Sequence, residues 1–185
     1  MTRPVSSEEY DTIVYDLDGT LVELAVDWEA ARRDVANVLR ARNLQIEDSM
    51  DLWNLLDVAA TDGYSETVET KLAAHEREGA WSARRLPLAD ELPHDVPVGV
   101  CSLNCEDACR IALERHGLER HVDAIVGRDT EPARKPEPAP LLAVIEALDG
   151  SPADSLFVGD SETDAIAAER AGVDFRWVRE RREME

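Results

Sequence analysis

The chain has 185 residues, a length that fits one domain or a compact core carrying one small insertion. It contains 40 acidic and 20 basic residues, a formal net charge of −20, and 44% of its residues are hydrophobic. This charge gives no basic surface for nucleic acid, and no apolar run reaches the roughly 18 residues of a membrane span. The first ten residues also lack the apolar stretch of a secretory signal, so we expect a cytoplasmic protein without nucleic-acid or membrane partners.

The basic residues are unusual because only Lys71 and Lys135 are lysines and the rest are arginines. A lysine-poor acidic surface favours a halophilic source, because molar salt shortens the Debye length to about 3 Å and screens the self-repulsion. An ordinary acidic protein from a GC-rich genome is the alternative.

Short β-rich runs alternate with helical runs along most of the chain. The predicted strands lie at 12–15, 98–101, 124–126, 156–158 and 175–178, and helices at 106–116, 139–148 and 163–171 separate the later ones. This alternation predicts an α/β fold, a Rossmann-like parallel sheet with helices on both faces.

The region between the first two strands has a different pattern. Three helical runs at 28–42, 47–60 and 66–78 follow one another with almost no β-branched stretches. We therefore predict a small all-helical cap at residues 21–92, inserted after strand one into a core formed by 1–20 and 93–185.

Three cysteines, Cys101, Cys105 and Cys109, are spaced four residues apart. Cys105 and Cys109 could share a helix face and bind a metal, but no CxxC or HxxxH pattern accompanies them. The odd count also disfavours a disulfide framework, so buried free thiols are predicted.

Polar residues follow four of the strands, where ligands bind in open α/β sheets. They are Asp16 and Asp18, Ser102 and Asn104, Lys135, and finally Asp160 and Asp164. Each alone reads as an ordinary acidic turn, a helix N-cap, a solvated lysine or a helix-start acid. Together they predict a site for a cation and an anion, and carboxylate oxygens suit Mg²⁺.

These segments resemble the four motifs of the haloacid dehalogenase superfamily. Asp16-Leu17-Asp18-Gly19-Thr20 is similar to the first motif, and Ser102 at a strand end to the second. Lys135-Pro136-Glu137-Pro138 resembles the third, in the form of subfamily I with a helical C1 cap. The run 159–164, GDSETD, resembles the fourth. The resemblance covers essentially the whole chain and is of the phosphoglycolate phosphatase type.

The resemblance implies two catalytic carboxylates. Asp16 would attack phosphorus in line and form an aspartyl-phosphate. Asp18 would protonate the leaving oxygen and then activate water, and strand alternation sends both side chains the same way. Gly19 would allow the tight turn, and Thr20 would support the loop.

The resemblance also implies the ligands of metal and phosphate. Mg²⁺ would be held by the Asp16 carboxylate, the Asp18 backbone carbonyl, Asp160 and Asp164. Ser102 and Lys135, assisted by Asn104, would bind the transferring phosphoryl oxygens, as listed by motif above.

The activity implied is Mg²⁺-dependent hydrolysis of a small phosphate ester, with phosphoglycolate-type substrates as the first expectation. A phosphosugar mutase and a catalytically idle phosphate- or metal-binding regulator are the alternatives, while dehalogenation is disfavoured because it needs neither Asp18 nor the metal. The cap would close over the site and select the leaving group. Candidate contacts within it are Trp28, Arg32, Arg33, Trp53 and Tyr64; the oligomeric state is left open.

Overall fold

The computed structural model describes residues 9–179, so residues 1–8 and 180–185 of the predicted core lie outside the described residues. The strands, in chain order, are β1 Thr12–Tyr15, β2 Val22–Glu23, β3 Arg84–Arg85, β4 Val98–Cys101, β5 Ala124–Val126, β6 Ser155–Gly159 and β7 Asp174–Trp177. The helices are α1 Trp28–Arg40, α2 Leu52–Thr61, α3 Ser65–Trp81, α4 Glu106–Arg115, α5 Ala139–Ala147 and α6 Glu162–Ala171. None of the helices within residues 9–179 is long and apolar enough to cross a membrane.

Five strands form one parallel sheet in the order β5-β4-β1-β6-β7, with β1 at its centre. The chain runs from β1 outward through β4 and β5, then returns to the other side of β1 for β6 and β7. The strand order therefore reverses at β1, and ligands bind at such a reversal in open α/β sheets. The predicted parallel α/β fold is confirmed.

Alternate side chains of the strands enter two separate cores. Ile13 and Tyr15 of β1 pack with α4 on one face, whereas Val14 packs with α5 and Phe157 on the other. Because successive residues of a strand point to opposite faces, this division means that both faces of the sheet are covered.

The helices α1, α2 and α3 share a third hydrophobic cluster, which includes Val35, Leu39, Leu55 and Leu72. Asp27 caps α1 by accepting a hydrogen bond from the Ala30 amide at 2.9 Å. Asp51 caps α2 in the same way, from the Asn54 amide at 2.9 Å, so this helix begins five residues later than predicted.

The segment between β1 and β4 differs from the predicted all-helical insertion in one respect. Val22–Glu23 and Arg84–Arg85 pair as a two-stranded antiparallel ladder where the segment leaves and rejoins the sheet. Two-residue strands carry no periodicity that a sequence pattern could reveal. A five-residue 3-10 helix, Pro87–Glu91, then leads to β4.

Candidate active site

Asp16 lies directly after the central strand and is only 6% exposed. Burial raises the pKa of its carboxyl group to about 7; the nearby Lys135 ammonium opposes this shift, and Asp164 adds to it. The raised pKa indicates that the carboxylate lies in excess negative charge, which a bound cation would relieve.

Lys135 reaches this carboxylate from the loop before α5. Its Nζ donates hydrogen bonds to Asp16 Oδ1 at 2.9 Å, to the Cys101 carbonyl at 2.9 Å and to Asp164 Oδ1 at 2.5 Å. These bonds use all three donors of the ammonium group. Burial alone would lower the pKa of Lys135, but Asp16 and Asp164 outweigh burial and raise it, so the lysine stays charged.

Asp18 is two residues farther along and lies at the wall of the same cavity. Burial raises its pKa to about 6, while a hydrogen bond from the Leu24 amide to Oδ1, at 2.8 Å, acts in the opposite direction. Gly19 between the two loops has φ +83°, and a Cβ there would lie 2.2 Å from Asp160 Oδ2. Only glycine therefore lets this turn approach the Asp160 carboxylate.

Asp160 follows β6, and Asp164 lies in the first turn of α6. Asp164 Oδ2 accepts hydrogen bonds from the amide and hydroxyl of Ser161 in a capping box, so this residue also has the helix-start role that its position alone suggests. Asp16, Asp160 and Asp164 each present a carboxylate oxygen within 4.8 Å of the others, the one such group of three acidic, histidine or cysteine ligands among residues 9–179.

This donor set fits a magnesium ion. Carboxylate oxygens are hard ligands, and Mg²⁺ completes its coordination with water, which the exposed Asp160 side would admit. The side chain of Asp18 is not in the group, which agrees with the expected use of its backbone carbonyl.

Ser102 and Asn104 follow β4, the neighbour of β1 in the sheet. Ser102 Oγ accepts hydrogen bonds from the Asn104 amide at 3.1 Å and from Asn104 Nδ2 at 3.3 Å. Asn104 lines the cavity, and its buried Oδ1 has no hydrogen-bond partner among the described residues. An unpaired buried polar atom is costly, so this side chain is suited to meet a ligand.

The acidic centre opens into a cavity of about 200 Å³. Asp16, Asp18, Asn104, Lys135 and Asp160 line its floor. Its other lining residues are Trp28, Trp53, Leu103, Ser161 and Thr163. The last three were not anticipated from sequence, although Ser161 and Thr163 stand inside the GDSETD run and Leu103 lies between two predicted residues.

Two of the candidate contacts in the helical segment, Trp28 and Trp53, line the cavity. Both are more than a third exposed, so they form an apolar mouth over the carboxylates. Arg32 instead bonds to Glu29 and to carbonyls of the α1–α2 connection, Arg33 is exposed, and Tyr64 lies under the Arg42 guanidinium. None of these three lines the cavity.

The three cysteines are buried and unbridged. Burial raises the pKa of Cys101 and of Cys105 to about 12 and that of Cys109 well above its usual value. Neutral thiols of this kind are neither good nucleophiles nor metal ligands, in agreement with the prediction of buried thiols.

Comparison with known proteins relates this site to a family. Residues 88–178 match the family described as haloacid dehalogenase-like hydrolase. The chain is 34% identical over 181 residues to a phosphoglycolate phosphatase of Cereibacter sphaeroides, covering 88% of this chain and 82% of that protein. It belongs to the haloacid dehalogenase-like hydrolase family.

Other members of the family give the same result. A phosphoglycolate phosphatase of Mesorhizobium japonicum is 30% identical over 202 residues, covering 94% of this chain and 81% of that protein. A subfamily IA hydrolase of this superfamily from Geobacter sulfurreducens superposes with a TM-score of 0.58 at 22% identity, over 92% of this chain and 88% of that one. CbbY from Rhodobacter sphaeroides, solved with phosphate, gives 0.64 at 19%, over 91% and 85%. The two solved structures share the fold, and the phosphatase relatives confirm the expected phosphoric monoester hydrolase.

Proposed function

We propose that this family member is a Mg²⁺-dependent phosphatase that hydrolyses a small organic phosphomonoester through an aspartyl-phosphate on Asp16. The observation that carries the proposal is the meeting of Asp16, Asp164 and the Lys135 ammonium at the floor of one cavity. Phosphoglycolate is the first substrate to test, because the two relatives named above are phosphoglycolate phosphatases.

In this proposal Asp16 is the nucleophile. Its Oδ1 accepts the Lys135 hydrogen bond, which leaves Oδ2, 3.5 Å from the Thr20 hydroxyl, to attack phosphorus. Lys135 fixes the carboxylate orientation and offsets the charge that would otherwise repel a phosphate dianion. A magnesium ion held by Asp16, Asp160, Asp164 and the Asp18 carbonyl would supply further neutralisation of that charge.

Ser102 and Asn104 would bind the phosphoryl oxygens. Rotation of the Asn104 amide by a half-turn would put its NH₂ group where the unpartnered Oδ1 now lies, and the Ser102 hydroxyl could then donate to the amide oxygen. The amide would thereby present donors to an anionic ligand.

Asp18 would act as acid and then as base. Protonated Asp18 donates to the leaving oxygen, and the resulting carboxylate takes a proton from the water that attacks the phospho-enzyme. The raised pKa of about 6 supports the first role, because a useful fraction of the acid form persists near neutral pH.

We also propose that residues 21–92 form a cap over a core of 1–20 and 93–185. The separate hydrophobic cluster of α1, α2 and α3 supports this division, as does the position of Trp28 and Trp53 at the cavity mouth. Those two side chains would cover the leaving group and exclude water from the reacting phosphorus.

Phosphate release should depend on Mg²⁺ and stop in EDTA. p-Nitrophenyl phosphate, phosphoglycolate and an uncharged alkyl phosphate would be compared at fixed high ionic strength, because the net charge of −20 attracts cations non-specifically. Since Mg²⁺ binds the folded chain, it should also add about 2.7 kcal/mol of stability at a hundred times its Kd. Asp160→Asn should raise the Mg²⁺ concentration for half-maximal rate by about tenfold or more. Turnover that is indifferent to EDTA would exclude the proposal.

Asp18→Asn should affect substrates according to their leaving group. With an alkyl phosphate we expect a loss of about 10²- to 10⁴-fold, because the alkoxide needs the proton. With p-nitrophenyl phosphate the first step should survive, so rapid-quench measurements should show a burst of one nitrophenolate per enzyme followed by slow turnover. In the unsubstituted protein the alkyl phosphate rate should fall about tenfold per pH unit above the Asp18 pKa of about 6, as the acid form is lost. Equal losses on both substrates without a burst would contradict the acid role.

A further inference from the structure

A buried ion cluster lies outside the residues that line the catalytic cavity. Arg128, which follows β5, has a side chain 4% exposed and pairs with Glu69 and Glu76 of α3. Its Nε and Nη2 lie 3.0 and 2.5 Å from the two Glu69 oxygens, and Nη2 lies 3.0 Å from Glu76 Oε2, while Nη1 pairs with Glu76 Oε1. Glu76 is completely buried.

The same two side chains hold the backbone of the loop after β4. Arg128 Nη1 donates to the Leu103 carbonyl at 2.7 Å, and the Cys105 amide donates to Glu76 Oε2 at 2.9 Å. The Arg128 amide donates to the Asn104 carbonyl, also at 2.9 Å. Three consecutive loop residues are thus anchored by Arg128 or Glu76.

Close packing of the two loops also depends on the residue before Arg128. A Cβ on Gly127 would lie 2.5 Å from the Glu106 amide nitrogen and 2.9 Å from the Asn104 carbonyl oxygen. The backbone leading to Arg128 therefore passes directly against the loop that carries Ser102 and Asn104, and a side chain at 127 would separate them.

Burying these charges is not an economical way to stabilise a fold, because the desolvation cost of an ion pair offsets much of its attraction. The cluster also carries two carboxylates for one guanidinium. Its geometry, in contrast, is specific: the planar fork of Arg128 contacts two carboxylates and a carbonyl at once, which lysine could not do. Burial alone would lower the pKa of Arg128, but Glu69 and Glu76 outweigh it and raise that pKa.

We infer that Arg128 and Glu76 are positioning residues for phosphate binding. They hold the backbone of residues 103–105 so that Asn104 faces the cavity beside Ser102, and they tie this loop to α3. The inference rests on the proposed function, in which Ser102 and Asn104 bind the phosphoryl oxygens. Glu69, which bonds Arg128 but no atom of the loop, serves the ion cluster alone.

The pair Glu76→Gln and Glu69→Gln separates positioning from mere stability. Both substitutions remove one carboxylate charge from Arg128 at constant volume, but only Glu76 also contacts the loop. In Glu76→Gln, the amide cannot accept from both Arg128 and Cys105 as the carboxylate does, so we expect the affinity for inorganic phosphate to fall about tenfold, the equivalent of one charge-assisted hydrogen bond. In Glu69→Gln it should change less than about twofold.

The measurements are calorimetric titration of the full-length, Mg²⁺-loaded protein with inorganic phosphate, and KM and kcat for the best phosphomonoester. We expect KM to rise in Glu76→Gln more than kcat falls, with both proteins assayed well below their melting temperatures. If Glu76→Gln does not fold, Arg128→Lys replaces it, because lysine keeps the charge but cannot reach both carboxylates and the Leu103 carbonyl; the same loss of phosphate affinity is expected.

Equal phosphate affinities in Glu76→Gln (or Arg128→Lys) and Glu69→Gln would overturn the inference and leave the proposed function intact. A wild-type protein that binds phosphate but hydrolyses no phosphomonoester would overturn the proposed function, while the phosphate titrations would still decide the role of Glu76. A wild type that binds no phosphate would overturn both.

Discussion

Asp16→Asn is expected to reduce phosphate release by about 10⁴-fold or more, the scale of loss seen when an enzyme nucleophile is removed. Asparagine matches the shape of aspartate, and its amide oxygen can still accept the Lys135 hydrogen bond that Asp16 Oδ1 accepts at 2.9 Å. The amide is not a nucleophile towards phosphorus, however, and it removes one of the three carboxylates gathered within 4.8 Å. Release of p-nitrophenolate in Mg²⁺ gives the rate, and circular dichroism melting shows whether the fold is kept.

Asp11→Asn is the matched control for this substitution. Asp11 is exposed, stands at the start of the same strand and undergoes the same change of charge. Its rate should stay within about twofold of wild type, since surface substitutions away from a site have small effects. If Asp16→Asn retained a tenth of the wild-type rate, Asp16 could not be the nucleophile, and general base or metal-water mechanisms would take its place.

Lys135→Met is expected to lower both stability and activity. It leaves Asp16 and Asp164 buried without their ammonium partner, and removing one member of a buried charge pair costs about 3–5 kcal/mol. Urea unfolding in EDTA should show this loss at pH 7.5. Activity should also fall, by about 10²-fold or more, because the donor that orients Asp16 and screens the phosphate is gone.

The destabilisation should depend on pH with a defined sign. Burial already raises the pKa of Asp16 to about 7 with the lysine present, and losing the lysine raises it further. A carboxyl group whose pKa is higher in the folded than in the unfolded chain loses stability as the pH rises from its unfolded to its folded value. The variant should therefore differ least from wild type near pH 4 and most above pH 7.

Lys71→Met is the control, because Lys71 is the other lysine of the chain. It lies on α3 with a half-exposed side chain 3.6 Å from Asp34, so its removal should change stability by less than about 1 kcal/mol and leave activity unchanged. Lys135→Met with wild-type stability at pH 7.5 would mean that the three carboxyl groups near Asp16 are already neutral in the folded protein.

Some features of this protein could be read from local sequence alone. The β-rich runs around Val14, Val100 and Val158 are short, apolar and followed by polar residues, so both the strands and their functional ends were predictable. Helix ends near Gly117 and Gly172 were predicted within one residue, because the chain there takes positive φ angles that glycine tolerates. The start of α2 was misplaced because Asp48 and Asp51 are both acceptable caps and only one is used.

Other features depended on which strands became neighbours. Placing β1 between β4 and β6 brings Asp16 beside Ser102 on one side and Asp160 on the other, and periodicity along the chain carries no information on strand order. The short ladder of β2 and β3 and the choice of Trp28 and Trp53, rather than Arg32 or Tyr64, as cavity walls likewise arise from packing of the helical segment.

The sequence by itself determined the α/β class, the family and the residue types available for chemistry, because these follow from short-range patterns and motif spacing. The tertiary structure alone decided what those residues contact. Lys135 meets Asp16 across 119 residues, and Arg128 meets Glu76 across 52. Such contacts form only when the sheet and helices pack, since burial makes an unpaired charge costly and so selects its partner from whatever lies nearby in space rather than in sequence.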